Sequence, residues 1–155
     1  MLRRPIYIDL EGGDLTGKST LLKTTFKESE YSKIMCFHDR GILTHHVYNT
    51  LFDRYQDNHL MWHNELYKFV QNNGIIILVG SVTELVNRYQ LRSDDLFKLS
   101  NILEVNEAYR RIYRDFLYVF KTVKLIEIDG KTPLQVYEDA EKLYLYMLER
   151  GVVHE

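Results

Sequence analysis

Short apolar runs alternate with longer stretches of helical period along this chain. Ile6-Tyr7-Ile8-Asp9-Leu10, Ile34-Met35-Cys36-Phe37, Ile75-Ile76-Ile77-Leu78-Val79 and Leu125-Ile126-Glu127-Ile128 have the length and residue types of strands. The third run is continuously apolar and β-branched, as suits a strand covered on both faces of a parallel sheet. Between these runs, residues 19–29, 42–55 and 57–72 carry helical apolar stripes. Ser81 followed three residues on by Glu84 is a capping box, opening a helix that runs to about Tyr89. Ile102, Val105, Tyr109, Ile112, Phe116 and Val119 recur at spacings of three and four, one face of a long helix. The opposite face of that helix carries Glu107, Arg111 and Asp115 at i,i+4 spacing for modest ion pairing. Thr132-Pro133 caps and opens a last helix with Tyr137, Ala140, Tyr144 and Met147 on one side. Strands alternating with helices predict an α/β fold of three layers: a short parallel sheet of about four strands with helices on both faces. In such sheets ligands bind beyond the carboxyl ends of the strands.

The loop after the first strand is therefore informative. Gly12-Gly13-Asp14-Leu15-Thr16-Gly17-Lys18-Ser19 matches G-x-x-x-x-G-K-[ST], with a strand before it and a helix after. Gly12, Gly13 and Gly17 let successive backbone N–H groups turn inward to form an anion nest. The start of the next helix, with Ser19 and Thr20, adds its dipole and free donors. Lys18 is placed to reach the outer phosphates of ATP, and the Ser19 hydroxyl is a hard oxygen ligand for Mg2+. The bland alternative is a glycine-rich turn that binds nothing. The second strand ends in His38-Asp39-Arg40-Gly41. Asp39 is the acid expected to hold the Mg2+ shell, and Arg40 can clamp a phosphate bidentately. Alone, that pair would read better as a solvated turn capping the next helix; the phosphate loop on the preceding unit reverses the preference.

Composition narrows the reading further. The 155 residues suit a single domain spanning 1–155. Twenty Lys and Arg against 22 Asp and Glu leave a net charge of −2, so no global basic field for polymeric nucleic acid is present. Cys36 is the single cysteine, which excludes an internal disulfide; it reads as a small core residue. No apolar run approaches the roughly 20 residues of a membrane span, and the expected compartment is the cytoplasm. Tyrosine is abundant, with 12 in the chain.

Leu10 to Thr20, followed by Asp39-Arg40, resembles the thymidylate kinase family of P-loop nucleotide kinases, within the wider deoxynucleoside kinase group. The resemblance implies an ATP- and Mg2+-dependent kinase of small nucleotides or nucleosides. It assigns Asp14 to the sugar 3′ hydroxyl of a monophosphate acceptor and Arg40 to the acceptor phosphate. It also implies an arginine-bearing lid over about 88–98, in which Arg88 and Arg92 approach the transferred phosphoryl group; the alternative is a solvated basic helix end. Ile128 to Pro133 resembles the family's last strand and loop, which lies against adenine; a turn plus helix cap is the competing reading. The chain departs from the family between Lys18 and Asp39. Only 20 residues lie there, without the Arg-Glu-Pro segment that helps hold the acceptor. Acceptor groups are then expected from residues 42–72, where His45, His46, Tyr48, Phe52, Tyr55, His59, Trp62, His63, Tyr67 and Phe69 cluster in sequence. Tyr48 is the candidate for the base; for any one ring, a core or interface role is the competing reading. His59 and His63 are spaced i,i+4 without a further ligand, an arrangement poor for a metal. Exposed aromatic helix faces would suit a homodimer.

Three functions compete on these residues. The first is phosphoryl transfer from ATP to a deoxynucleoside monophosphate. The second is a deoxynucleoside kinase acting on a 5′ hydroxyl, with Glu11 or Asp39 as base. The third is an ATP-binding regulatory protein without transferase activity. A GTPase is excluded by the absence of an Asn-Lys-x-Asp motif and of Asp-x-x-Gly after the second strand.

Overall fold

The computed structural model describes residues 4–28, 30–51, 59–92 and 98–153. Four strands form one fully parallel sheet: β1 (Ile6–Gly12), β2 (Met35–Asp39), β3 (Gly74–Val79) and β4 (Val123–Glu127), in the order β2-β1-β3-β4. The helices are α1 (Lys18–Glu28), α2 (Ile42–Leu51), α3 (His59–Asn72), α4 (Val82–Gln90), α5 (Leu99–Ile112) and α6 (Pro133–Val153). Leu10 pairs with Asp39, Gly12 with Leu78 and Val79 with Glu127, so the four carboxyl ends lie along one edge. The chain leaves β1 toward β2 and returns past β1 to β3. The order therefore reverses at the centre of the sheet, where ligand crevices form in open α/β folds.

Alternation along the strands separates two cores. Ile8, Leu10, Ile76 and Leu78 face α1 and α6, where they meet Leu21, Tyr137, Ala140 and Tyr144. Ile75, Ile77 and Val79 face the other layer, where they meet Leu43, Leu66, Val105 and Tyr109. Every residue of β3 is buried, as its unbroken apolar run predicts. The α6 stripe Tyr137, Ala140, Tyr144 and Met147 is buried as read from the sequence. Among the described residues no helix is long and apolar enough to cross a membrane.

Three local readings change. The apolar stripe of α5 does not continue through Phe116 and Val119, which are 39% and 63% exposed, while Leu117 is wholly buried. Residues Tyr113–Leu117 wind as a π-helix, and the Tyr118 N–H donates to the Tyr113 carbonyl. The wider turn takes one extra residue and shifts the inward position from 116 to 117. Cys36 is exposed and not a core residue. It lies on the edge strand, where Met35 and Phe37 point into the α1/α6 core and the side chains between them do not. Of the Ser81–Glu84 box, only half forms. The Glu84 N–H donates to Ser81 Oγ at 3.1 Å, but the Glu84 carboxylate turns to Arg88, and the Ser81 N–H donates instead to Asp129 Oδ1 at 2.9 Å. The segment 52–58, with Phe52 and Tyr55, lies outside the described residues, as do Ser93 to Phe97 of the expected lid.

Candidate active site

The site is built on the three strand ends nearest the reversal. β1 stops at Gly12, whose backbone takes φ 142° and passes so close to β3 that a Cβ would sit 2.6 Å from the Leu78 carbonyl oxygen. Only glycine fits both requirements. Gly13 is buried over Val105 of α5. The loop closes when Thr16 Oγ1 donates to the Gly13 carbonyl at 2.8 Å. Gly17 then opens α1, its carbonyl accepting from the Leu21 N–H at 2.9 Å. First-turn amides of a helix have no intrahelical partner, so Lys18, Ser19 and Thr20 present a dipole-assisted anion site at the strand end. Ser19 and Thr20 are exposed.

Lys18 folds back over this loop. Its Nζ donates to the Gly12 carbonyl at 3.3 Å and lies 3.7 Å from Asp39 Oδ1. Burial holds its ammonium below the usual lysine range. The nearby Arg40 guanidinium lowers it further, and Asp39, Glu11 and Asp14 offset this in part. Lys18, Asp39, Arg40 and Asp14 thus share one electrostatic site although the chain places them on two segments. Tyr48 of α2 joins them. Burial and the neighbouring Asp14 carboxylate raise its phenol, and Arg40 pulls the other way. Arg40 is exposed and holds a left-handed backbone, φ 71°, anchored by its N–H to the Leu10 carbonyl at 3.0 Å.

Arg88 approaches from the other side. Its Nη1 donates to the Leu15 carbonyl at 2.8 Å, and its Nε to Glu84 Oε1 at 2.8 Å. Leu15 carries φ 69°, so the arginine touches a left-handed turn of the phosphate loop itself. Arg92 does not continue the face of Arg88, because α4 ends at Gln90. Arg92 is half-buried just beyond the helix, its N–H bonded to the Tyr89 carbonyl. A groove beside the loop is lined by Thr16, Gly17, Arg88, Ile128, Lys131 and Pro133. Of the segment after β4, Ile128, Lys131 and Pro133 border this groove.

The aromatic segment is used largely for packing. Trp62 stacks on His46 with ring centres 3.8 Å apart, and its Nε1 donates to the Ile42 carbonyl at 3.0 Å. His63 lies against Phe116 and Tyr67 against Phe120. The His59 side chain is outside the described residues, and among those described no three His, Cys, Asp or Glu side chains converge as a metal cage. Mg2+ seldom needs such a cage, since it keeps several waters and takes one or two protein oxygens beside substrate phosphates. The solvent-facing Ser19 hydroxyl and Asp39 carboxylate, which flank Lys18, meet that requirement.

Several residues of the site escape the motif reading. Asp9 and Glu11 sit on one face of β1, both buried. Glu11 accepts from the Gly41 and Leu43 N–H groups, from Thr44 Oγ1 and from the Tyr109 hydroxyl. Burial raises its carboxyl above the usual value, against the pull of these donors. Asn106 of α5 grips Gly80 from both sides: its Oδ1 accepts the Gly80 N–H at 3.1 Å and its Nδ2 donates to the Gly80 carbonyl at 2.8 Å. Arg110 adds a second bond to that carbonyl and pairs with Glu127. Two carboxylates at i and i+2 in a buried strand were the available signal, since buried charges require partners.

A phosphate loop between β1 and α1, an Asp-Arg turn on the adjacent strand and an arginine over the loop define an α/β P-loop fold. Comparison with known proteins agrees at the level of fold. The chain is similar to the YorR protein of Bacillus subtilis, solved in complex with phosphorylated GDP, with a TM-score of 0.69 and 17% identity over 93% of this chain and 97% of that one. It is also similar to deoxyadenosine kinase from M. mycoides. With bound dATP the TM-score is 0.54 at 17% identity, and with bound dCTP it is 0.52 at 15%, each over 89% of this chain and 98% of the other. No protein-family model and no curated protein sequence matches the chain.

Proposed function

We propose that this protein transfers the γ-phosphoryl group of ATP to a deoxynucleoside monophosphate. The carrying observation is geometric: Lys18 of the phosphate loop reaches to 3.7 Å from Asp39 at the end of the adjacent strand, and Arg40 is the next residue, so two cations stand on neighbouring segments. Like charges held together in a partly buried site are stabilised by anions, and two phosphate-bearing substrates supply them. The loop amides and Lys18 hold the donor phosphates. On this reading Arg40 grips the acceptor phosphate, Asp14 meets the acceptor's sugar and Tyr48 its base. Arg88 and Arg92 meet the charge that spreads over the transferred group. Ser19 and Asp39 would hold Mg2+, which supplies neutralisation of phosphate charge. A monophosphate oxygen is already nucleophilic. It bonds to the γ-phosphorus as the bridging oxygen of ATP leaves, and no dedicated base is needed. This accords with the state of Glu11, whose two oxygens are both occupied by donors.

Arg40→Ala tests this reading. Loss of one charge-assisted phosphate contact, about 1.5–3 kcal/mol, raises the monophosphate KM by roughly ten- to a hundredfold and leaves the ATP KM near its original value. An unchanged acceptor KM contradicts the reading.

A second reading has its own support. Two of the structural relatives are named deoxyadenosine kinases, and the exposed Asp39 carboxylate beside Lys18 could take the proton of a 5′ hydroxyl. It predicts that nucleosides are phosphorylated and that Asp39→Asn loses turnover.

A further inference from the structure

The start of α2 is capped from another strand. Three consecutive amides, those of Gly41, Ile42 and Leu43, need acceptors there. They bond in turn to Glu11 Oε1, Asp9 Oδ2 and again Glu11 Oε1, each at 2.9 Å. Glu11 Oε2 takes Thr44 Oγ1 at 2.7 Å and the Tyr109 hydroxyl at 2.9 Å. The packing leaves no slack, since a Cβ on Gly41 would fall 1.9 Å from Asp9 Oδ2. The residue just before these amides is Arg40, in a backbone conformation that non-glycine residues seldom adopt. An ordinary cap is local, from the residue that precedes the helix. Here it comes from β1, and Glu11 is the residue immediately before Gly12 of the phosphate loop.

We propose that Glu11 is the positioning residue that ties the Asp39–Arg40 turn to the strand carrying the phosphate loop, and so sets the distance between acceptor and donor phosphates. The donor loop and the acceptor turn then register on one strand, two of the three amides being held by the Glu11 carboxylate and the third by Asp9. This rests on the reading of Arg40 as the acceptor clamp. Glu11 is wholly buried and each oxygen has two donors. It acts through the turn and not on the reacting atoms.

The test compares Glu11→Ala, Glu11→Gln and Thr44→Val by steady-state kinetics and by amide hydrogen exchange. Glu11→Ala is expected to raise the monophosphate KM by about tenfold or more, the scale of a misplaced positioning group, with the ATP KM little changed. Exchange at Gly41 and Leu43 should quicken more than at Ile42, which Asp9 still holds. Glu11→Gln keeps an oxygen for the two amides, and the Thr44 and Tyr109 hydroxyls can turn to accept from its NH2 group. It should bring the acceptor KM back toward the original. An unchanged acceptor KM in Glu11→Ala overturns the proposal. So does Glu11→Gln losing kcat as fully as Glu11→Ala, which would mark a proton acceptor. Should the unaltered protein phosphorylate no acceptor, the proposed function fails by itself, and unchanged protection of Gly41 and Leu43 in Glu11→Ala then overturns the tie separately. If Glu11→Ala does not fold, Thr44→Val decides: a smaller rise in acceptor KM supports the tie, and none contradicts it.

Discussion

Keeping Glu11 ionised inside the protein works against stability, and pH reveals by how much. Its folded pKa is raised above the ordinary 4.5 because burial outweighs the donors around it. A carboxyl so raised binds its proton more tightly when folded. Its charged form therefore lowers stability at neutral pH, and this penalty fades as pH falls through the folded value toward 4.5. The melting temperature of Glu11→Gln minus that of the unaltered protein should be most positive near neutrality and should decrease on acidification. Calorimetric scans across that range check it, and a difference independent of pH contradicts it. The glycine-rich loop, Lys18, Ser19 and the Asp39-Arg40 pair were legible in the sequence because each is a contiguous motif just after an apolar run. Glu11 in its tie was not. Its partners lie about thirty residues on, at Gly41 to Thr44, and beyond, at Tyr109, and no local spacing announces them.

Elements transmit the same logic from the far side of the loop. α4 brings Arg88 to the phosphate loop, and its starting point is fixed by Asn106 of α5 through both backbone groups of Gly80. Asn106→Ala leaves a buried N–H without that acceptor, a cost of about 1–3 kcal/mol. It should lower unfolding free energy by that amount and, on the proposed role of Arg88 toward the transferred group, reduce kcat more than it raises either KM. Denaturant unfolding and steady-state kinetics together measure this, and a stability loss with unchanged kcat would detach α4 from the chemistry. Among the described residues, four strands and six helices match the apolar pattern to within a few residues, since period and length speak for local conformation. The π turn at Tyr113–Leu117 is invisible to that pattern. Residues 116 and 119 keep the 3.6-residue period, and the packing that widens the turn is tertiary. Exposure of Cys36 has the same origin, because which strand lies at the edge depends on sheet order.

For the molecule as a whole, the parallel order β2-β1-β3-β4 brings the ends of β1, β2 and β3 together at one edge, with opposite cores bracing the sheet on each face. The net charge of −2 is compatible with anionic substrates because positive groups are local: Lys18, Arg40 and Arg88 lie on three segments around the phosphate loop. A chain with only 20 residues between Lys18 and Asp39 still forms this arrangement, since α1 and one 3-10 turn suffice to return the chain from β1 to β2. On the proposed function, phosphoryl transfer to a deoxynucleoside monophosphate gives each of these cations a task. The most direct measurement tracks label from γ-labelled ATP, with Mg2+, into each deoxynucleoside monophosphate and each deoxynucleoside in parallel. A kinase of this kind places label in a diphosphate product, and Lys18→Ala abolishes it. Label in monophosphate products alone, or in no acceptor at all, would contradict that function.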